Sequence, residues 1–224
     1  MKRPSPSLTI HEIGQFVLAN FLLKYWSRFF YRLKIERDPT YEEGPAVIAS
    51  NHRSFADPPV VSMAFRRPIG YFAKASLWKI PVIGLALRLF HGIPVDRNRP
   101  DAATMSAAVN LLKGGLRVLV FPEGTRTKTG TLGHLRQGPP LFARRAGVPI
   151  IPVYVMGSET AWQQGRPLPS LYGRLRIRVG KPVPIPAGLD GKRADRFATL
   201  YLERWMQKQE RLLQSSSIRW RQAI

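Results

Sequence analysis

Between Leu8 and Leu33, apolar residues recur at three- and four-residue spacing, which is the period of an amphipathic α-helix. The apolar set mixes aliphatic and aromatic side chains: Ile13, Phe16, Val17, Phe21, Leu22, Tyr25, Trp26, Phe29 and Leu33. Four cations alternate with them: Lys24, Arg28, Arg32 and Lys34. The longest apolar run is far short of the roughly 20 residues that cross a bilayer. This pattern predicts a helix, or a bent pair of helices, lying in the membrane interface; a helix packed on the protein's own core is the alternative.

Further along the chain, short apolar runs alternate with amphipathic helical patterns. Strands are predicted at 46–49, 69–73, 91–97, 116–121, 148–155 and 175–179, and helices at 58–65, 77–90, 101–113, 139–146 and 194–213. Pro152 cannot donate a backbone hydrogen bond, so its strand is predicted to be an edge or bulged strand. The alternation predicts an α/β fold, with a mostly parallel central sheet flanked by helices. The predicted organisation is a membrane-associating helical segment at 1–40, an α/β domain at 41–214 and a flexible tail at 215–224.

Composition narrows the class of protein. A chain of 224 residues with 44% hydrophobic and 10% aromatic residues can bury a sizeable core and is not disordered. The absence of cysteine excludes disulfides, thiolate metal sites and a cysteine nucleophile. Residues 1–7 form a basic start that lacks the apolar core and cleavage site of a secretory signal. A net charge of +21 favours polyanionic partners: nucleic acid, an anionic membrane surface or phosphorylated substrates.

A polar loop follows the first strand of the predicted domain and contains His52 and Asp57. Pro58 biases Asp57 away from helical geometry, so the two side chains can meet within the loop. Asp57 is also predicted to be the N-cap of the next helix, with Pro58 at its first position. A carboxylate bonded to one ring nitrogen fixes the tautomer of a histidine and makes it a general base. No serine or cysteine occupies a nucleophile elbow nearby, so a substrate hydroxyl is the predicted proton donor; a plain helix cap is the alternative.

Four segments in this order resemble the glycerolipid acyltransferases, most closely the lysophosphatidic acid (1-acylglycerol-3-phosphate) acyltransferases. The segments are Asn51–Pro58, Gly92–Arg97, Phe121–Arg126 and Val148–Val153. The resemblance extends from about Ala46 to Lys181 and implies that the domain is a glycerol-3-phosphate acyltransferase-like sandwich.

The resemblance implies that His52, oriented by Asp57, deprotonates the free hydroxyl of a lysophospholipid, which then attacks an acyl thioester. The residues expected to bind its phosphate and glycerol are Lys74, Arg97, Glu123, Gly124, Thr125 and Arg126. Arg126 follows a strand end, where α/β sheets bind ligands, and a guanidinium can hold a phosphate through two hydrogen bonds. Arg136 begins a basic-x-Gly segment that resembles the one following the family's phosphate motif. Ile151, Pro152 and Val153 are assigned to the acyl pocket, with filling of the core as the alternative.

The implied co-substrate is acyl-CoA or acyl-carrier protein, and the implied product is phosphatidic acid for phospholipid biosynthesis. No cofactor is expected, and the scattered His11, His91 and His134 predict no metal site. The expected location is the cytoplasmic face of the cell membrane, as a peripheral or monotopic protein on an anionic surface. The same chemistry on another lysolipid is one alternative. A basic nucleic-acid-binding protein is the other, but the cations are spread along the chain and no nucleic-acid motif is present.

Overall fold

A computed structural model of the chain describes residues 10–41, 43–89, 92–95, 102–127, 131–162, 166, 168–186 and 188–221. The strands are β1 (Lys34–Arg37), β2 (Val47–Ser50), β3 (Ile69–Lys74), β4 (Gly92–Val95), β5 (Arg117–Val120), β6 (Ile150–Met156) and β7 (Arg176–Val179). The helices are α1 (Ile10–Phe30), α2 (Asp57–Ser62), α3 (Pro81–Leu89), α4 (Ala102–Lys113), α5 (Gly138–Ala146), α6 (Ser158–Ala161) and α7 (Gly191–Arg221). A 3₁₀ helix covers Ala75–Lys79.

The strands form one sheet in the order β1-β7-β6-β2-β5-β3-β4. Among the strand pairs in the described residues, only β6–β7 is antiparallel, so β1 and β7 run opposite to the other five strands. The predicted α/β fold with a mostly parallel sheet is therefore confirmed. Strand β2 lies between β6 and β5, and the three point in one direction. The loops that follow these strands consequently meet at one edge of the sheet, where open α/β sheets bind ligands.

Helices cover both faces of the sheet because successive strand residues point to opposite sides. Ile48 joins a core that includes Phe16 of α1, Val61 of α2 and Leu87 of α3. Its neighbours Val47 and Ala49 join the opposite core. Helices α4, α5 and α7 close that second core with these buried side chains: Ala108, Leu111, Leu112, Ala143, Ala198, Leu202 and Met206. The result is a three-layer sandwich with β2 at its centre.

Helix α1 is one continuous helix, and it buries polar residues while exposing apolar ones. Phe16, Asn20 and Ser27 are buried against the domain. The Asn20 amide donates to the carbonyls of Ser62 and Phe65, at 3.0 and 3.1 Å. Ser62 is the last residue of α2, where backbone acceptors lack partners within the helix, and Phe65 follows it by three residues. The exposed side chains are Ile13, Val17, Leu18, Phe21, Leu22, Tyr25, Trp26, Phe29 and Phe30.

None of the helices in the described parts of the chain combines the length and apolar character needed to span a bilayer.

Strand β6 is an interior strand, so the prediction that Pro152 places it at an edge is wrong. The pairing register with β7 changes beside this proline: Val153 lies opposite Val179, whereas Ile150 bridges Val183. Two residues of β6 therefore face three residues on the other chain segment, which is a bulge beside Pro152, but its extra residue lies on the segment after β7 and not on β6 as expected. A proline fits an interior strand at such a bulge because the ladder is already interrupted there.

One strand was not predicted, and one helix is longer than predicted at both ends. Strand β1, whose four residues are Lys34, Ile35, Glu36 and Arg37, was not predicted, because one partly buried residue among charges gives no strand pattern. Helix α7 begins before the predicted start at Ala194 and continues to Arg221, beyond the predicted end at Leu213.

Candidate active site

His52 and Asp57 meet in the loop between β2 and α2. The ring Nδ1 of His52 lies 2.8 Å from Oδ2 of Asp57. Asp57 is fully buried, and His52 is 8% exposed. With its proton on Nδ1 donated to this carboxylate, the imidazole presents Nε2 as its proton acceptor.

The loop takes this shape because Asp57 also binds the backbone in front of it. Its Oδ2 accepts hydrogen bonds from the amides of Arg53 and Ser54, at 2.6 and 2.7 Å. The prediction that Asp57 is an N-cap is therefore wrong: α2 begins at Asp57 itself, after Ala56, and no side chain caps it. One buried oxygen both curls the loop and orients the imidazole.

The segment after β5 packs directly against this loop. The ring of Phe121 stacks on the His52 ring, with centroids 3.9 Å apart and planes 12° apart. The amide of Thr127 donates to the His52 carbonyl at 3.0 Å. These contacts follow from the adjacency of β2 and β5, which brings the segments after their carboxyl ends together.

Glu123 joins the two segments through its carboxylate. Oε1 accepts the amide of His52 at 2.8 Å, and Oε2 accepts the amide of Gly133 at 3.0 Å. Glu123 is itself 8% exposed. Since both oxygens bind backbone amides, Glu123 fixes the position of His52, a role that was not predicted beside its expected contact with glycerol.

The structure places Arg126 beside the His52 loop. Its guanidinium carbon lies 3.5 Å from the ring centroid of Phe55, which belongs to that loop. Gly124, two residues earlier, has φ +73°, a conformation that favours glycine. A Cβ at Gly124 would lie 3.1 Å from the guanidinium of Arg136, so the missing side chain lets a second cation approach this turn. Thr125, between Gly124 and Arg126, is exposed.

The remaining predicted site residues are not brought together as a group. Ile151 and Val153 are buried in the core on the α1 side of the sheet. Pro152 points to the other face, because it and Trp205 of α7 both lie within 3 Å of the position a Cβ would take at Gly180. The three therefore do not line one surface. Lys74 is the last residue of β3. Arg97 lies outside the described residues.

Sequence reasoning missed a polar cluster behind the loop. Arg53 Nη2 lies 2.6 Å from Glu210 Oε1 of α7 and 2.7 Å from the Tyr154 hydroxyl. Asn51 exchanges two hydrogen bonds with the backbone of Val155, at 2.9 and 2.7 Å, and so fastens the loop to β6. No local signal identifies these partners, because they are separated by 157, 101 and 104 positions along the chain.

Chemically, the arrangement combines a general base, its orienting carboxylate and a nearby cation. Such a site can deprotonate an alcohol and hold an anionic group next to it. Across the described parts of the chain, no three His, Asp or Glu side chains converge as metal ligands would.

Comparison with known proteins agrees with this chemistry. The profile of the family described as Acyltransferase matches residues 32–156. A chloroplastic 1-acyl-sn-glycerol-3-phosphate acyltransferase of Arabidopsis thaliana is 30% identical over 172 residues, which cover 73% of this chain and 48% of that protein. The 1-acyl-sn-glycerol-3-phosphate acyltransferase of Pseudomonas aeruginosa is 33% identical over 145 residues, covering 59% of this chain and 56% of that protein. The chain thus spans about half the length of the curated relatives it matches.

Among solved structures, the chain resembles the 1-acyl-sn-glycerophosphate (LPA) acyltransferase PlsC from Thermotoga maritima. The TM-score is 0.62, and the alignment covers 89% of both chains at 22% sequence identity. At this identity the likeness shows a shared fold.

Proposed function

The chain belongs to the acyltransferase family, and from this premise we propose that it acylates the free hydroxyl of 1-acylglycerol-3-phosphate. The acyl donor is a thioester, acyl-CoA or acyl-carrier protein, and the product is phosphatidic acid. The observation that carries the proposal is the buried His52–Asp57 pair, held beside the segment that ends in Arg126. The names of the relatives from Arabidopsis thaliana and Pseudomonas aeruginosa support the acceptor.

In the proposed reaction, Nε2 of His52 takes the proton of the acceptor hydroxyl, and the hydroxyl oxygen attacks the thioester carbonyl. The carbon–sulfur bond then breaks, the new ester forms, and the imidazolium returns its proton to the thiolate. Asp57 steadies the imidazolium through Nδ1. Arg126, with Gly124, Thr125, Lys74 and Arg97, binds the phosphate and glycerol.

The proposed substrates are lipids, and the exposed apolar face of α1 supports the proposal that the protein acts at a membrane surface. A water-exposed helix ordinarily turns polar residues outward, whereas α1 buries Asn20 and Ser27 and exposes Phe21, Tyr25 and Phe29. Aromatic and aliphatic side chains beside cations suit the boundary between headgroups and acyl chains. We therefore infer that α1 lies in the interface and brings the site to its substrates.

The test is acyl transfer by the purified protein from labelled acyl-CoA or acyl-carrier protein to a panel of lysolipids. We expect phosphatidic acid as the main product with lysophosphatidic acid. His52→Ala should lower kcat by about 10²–10⁴-fold, the usual contribution of a general base. His134→Ala, which changes an exposed histidine, is the matched control and should retain the rate. Full turnover by His52→Ala contradicts the mechanism, and a preference for another lysolipid contradicts the acceptor.

A further inference from the structure

One carboxylate oxygen of α7 accepts hydrogen bonds from three donors, which belong to three separate parts of the chain. Oε1 of Glu210 lies 2.6 Å from Arg53 Nη2, 3.2 Å from the Tyr154 hydroxyl and 3.2 Å from the amide of Leu132. Arg53 belongs to the His52 loop, Tyr154 to β6, and Leu132 to the segment that precedes α5. Glu210 lies outside residues 32–156, which the family profile matches, so the profile does not cover it.

The cluster is largely removed from water, which makes its charge pairing important. The side chains of Arg53 and Glu210 are 8% and 15% exposed. A second carboxylate, Glu159, lies 3.5 Å from Arg53 but is 36% exposed. Burial raises the pKa of the Tyr154 hydroxyl well above its usual range, so this hydroxyl stays protonated and donates. Glu210 therefore supplies the short, charge-assisted contact to a buried guanidinium.

Two chains of contacts lead from Glu210 to His52 from opposite sides. On one side, Glu210 holds the side chain of Arg53, whose own amide binds the Asp57 carboxylate. On the other side, Glu210 holds the amide of Leu132, and the next amide, that of Gly133, binds Glu123. Glu123 in turn accepts the amide of His52. The contacts close a ring around the base, and Glu210 is the one member from α7.

We propose that Glu210 is a positioning residue for the His52–Asp57 pair, acting through Arg53 and the Leu132–Gly133 backbone. Docking of α7 then completes the active site as well as covering the sheet. Neutralising Glu210 leaves the guanidinium of Arg53 buried without its short ion pair. Both chains of contacts that lead to His52 begin at Glu210 and would therefore be weakened. The inference rests on the proposed function only in taking His52 as the base.

The kinetic test uses Glu210→Gln, which keeps the shape of the side chain and removes its charge. We expect kcat to fall about 10- to 100-fold, as for other small displacements of catalytic groups, with KM for both substrates changed less than about twofold. Glu203→Gln, on the same helix, is the matched control and should keep the wild-type kcat. A wild-type kcat in folded Glu210→Gln, or an equal loss in Glu203→Gln, overturns the proposal.

A double-variant cycle with Arg53→Met tests whether Glu210 positions His52 through Arg53 or only stabilises the fold in general. If Glu210 acts through Arg53, the double variant should be no slower than the slower single variant. Losses in kcat that multiply show independent roles and overturn the route through Arg53. Glu210→Asp keeps the charge on a shorter side chain and serves as the second variant where Glu210→Gln does not fold. Its kcat should also fall, because it cannot reach Arg53 and Leu132 together.

A readout without substrate distinguishes failure of this inference from failure of the proposed function. In ¹⁵N-histidine-labelled protein, we expect the Nδ1 proton of His52 to exchange with solvent about tenfold faster in Glu210→Gln than in wild type or Glu203→Gln. Unchanged exchange overturns the positioning role. If the wild-type protein acylates no lysolipid, the proposed acyl transfer fails, while the exchange measurement still decides whether Glu210 holds the imidazole.

Discussion

At the scale of single residues, Arg126 lies closer to an aromatic ring, at 3.5 Å, than Arg53 and Arg117 do, at 5.5 and 5.4 Å. Its guanidinium stacks on Phe55, a residue of the loop that carries His52. Stacking on an aromatic ring engages the face of a guanidinium and leaves the geometry of its N–H edges suited to a pair of oxygens. The position of the cation is therefore coupled to that of the base, as a substrate with a phosphate near its hydroxyl requires.

Arg126→Ala should mainly weaken binding of the phosphate-bearing acceptor. Hydrogen bonds to charged groups contribute about 1.5–3 kcal/mol, so KM for lysophosphatidic acid should rise at least about tenfold. KM for the acyl thioester should change less than about twofold. Steady-state kinetics with each substrate varied in turn measures this, and Arg193→Ala, which removes an 80% exposed arginine paired with Asp190, is the control. An effect confined to the acyl donor contradicts the assigned role.

Residue contacts within one loop were predictable, whereas contacts across the fold were not. The meeting of His52 and Asp57 follows from five positions of separation and the proline after Asp57. The wrong N-cap assignment has a physical reason: upstream amides compete for the same carboxylate oxygen. Glu123 and Glu210 reach the loop from 71 and 157 positions away, which no spacing rule anticipates.

At the scale of elements, the buried side of α1 includes polar residues among apolar ones, whereas large apolar side chains dominate its exposed side. The buried face provides Asn20, which donates to two carbonyls at and just after the end of α2. Because α2 begins at Asp57, this contact also steadies the helix that carries the orienting carboxylate. The exposed face carries large apolar side chains such as Leu18, Phe21 and Phe29. The helical period predicted α1, but it did not predict which face would turn toward the protein.

Asn20→Leu should destabilise the fold even though it makes α1 more apolar. The carbonyl of Phe65 would lose its donor, whereas that of Ser62 would keep the amide of Phe65, and an unsatisfied buried polar group costs about 1–3 kcal/mol. The free energy of unfolding from urea denaturation should fall by about that amount. Leu18→Asn, which changes a side chain that is 61% exposed, should alter it by less than about 0.5 kcal/mol. Equal effects of the two substitutions contradict the assigned orientation of α1.

At the scale of the whole molecule, the two faces of the sandwich differ in how they could meet a membrane. Helices α1 and α3 pack on the same face and against each other, and both expose apolar side chains. Phe29 is 80% exposed and Val82 of α3 is 79% exposed. A cavity of about 630 Å³ at the end of α1 has a lining that combines apolar and basic residues: Phe29, Phe30, Arg32, Thr160, Tyr172, Gly173 and Arg174. The α/β fold predicted from the sequence is correct because alternating strands and helices form a sheet covered by layers of helices. Which helix faces stay exposed depends on how the helices pack, and the sequence pattern did not predict that.

The double variant Phe29→Ser/Val82→Ser tests whether this α1–α3 face is the one that contacts lipid. Burying one such side chain is worth about 1.5–3 kcal/mol, so loss of two should weaken partitioning onto phosphatidylglycerol-containing vesicles at least about tenfold. Sedimentation with vesicles measures it, and added salt should weaken the wild type and the variant alike by screening the +21 charge. Leu200→Ser, at an exposed position of α7 on the opposite face, is the control and should bind as the wild type does. If the double variant binds as the wild type does, the α1–α3 face is not the docking face, and the distributed positive charge is sufficient to hold the protein on an anionic surface. If Leu200→Ser loses as much binding as the double variant, the loss is not specific to the α1–α3 face, and the assignment of that face is wrong.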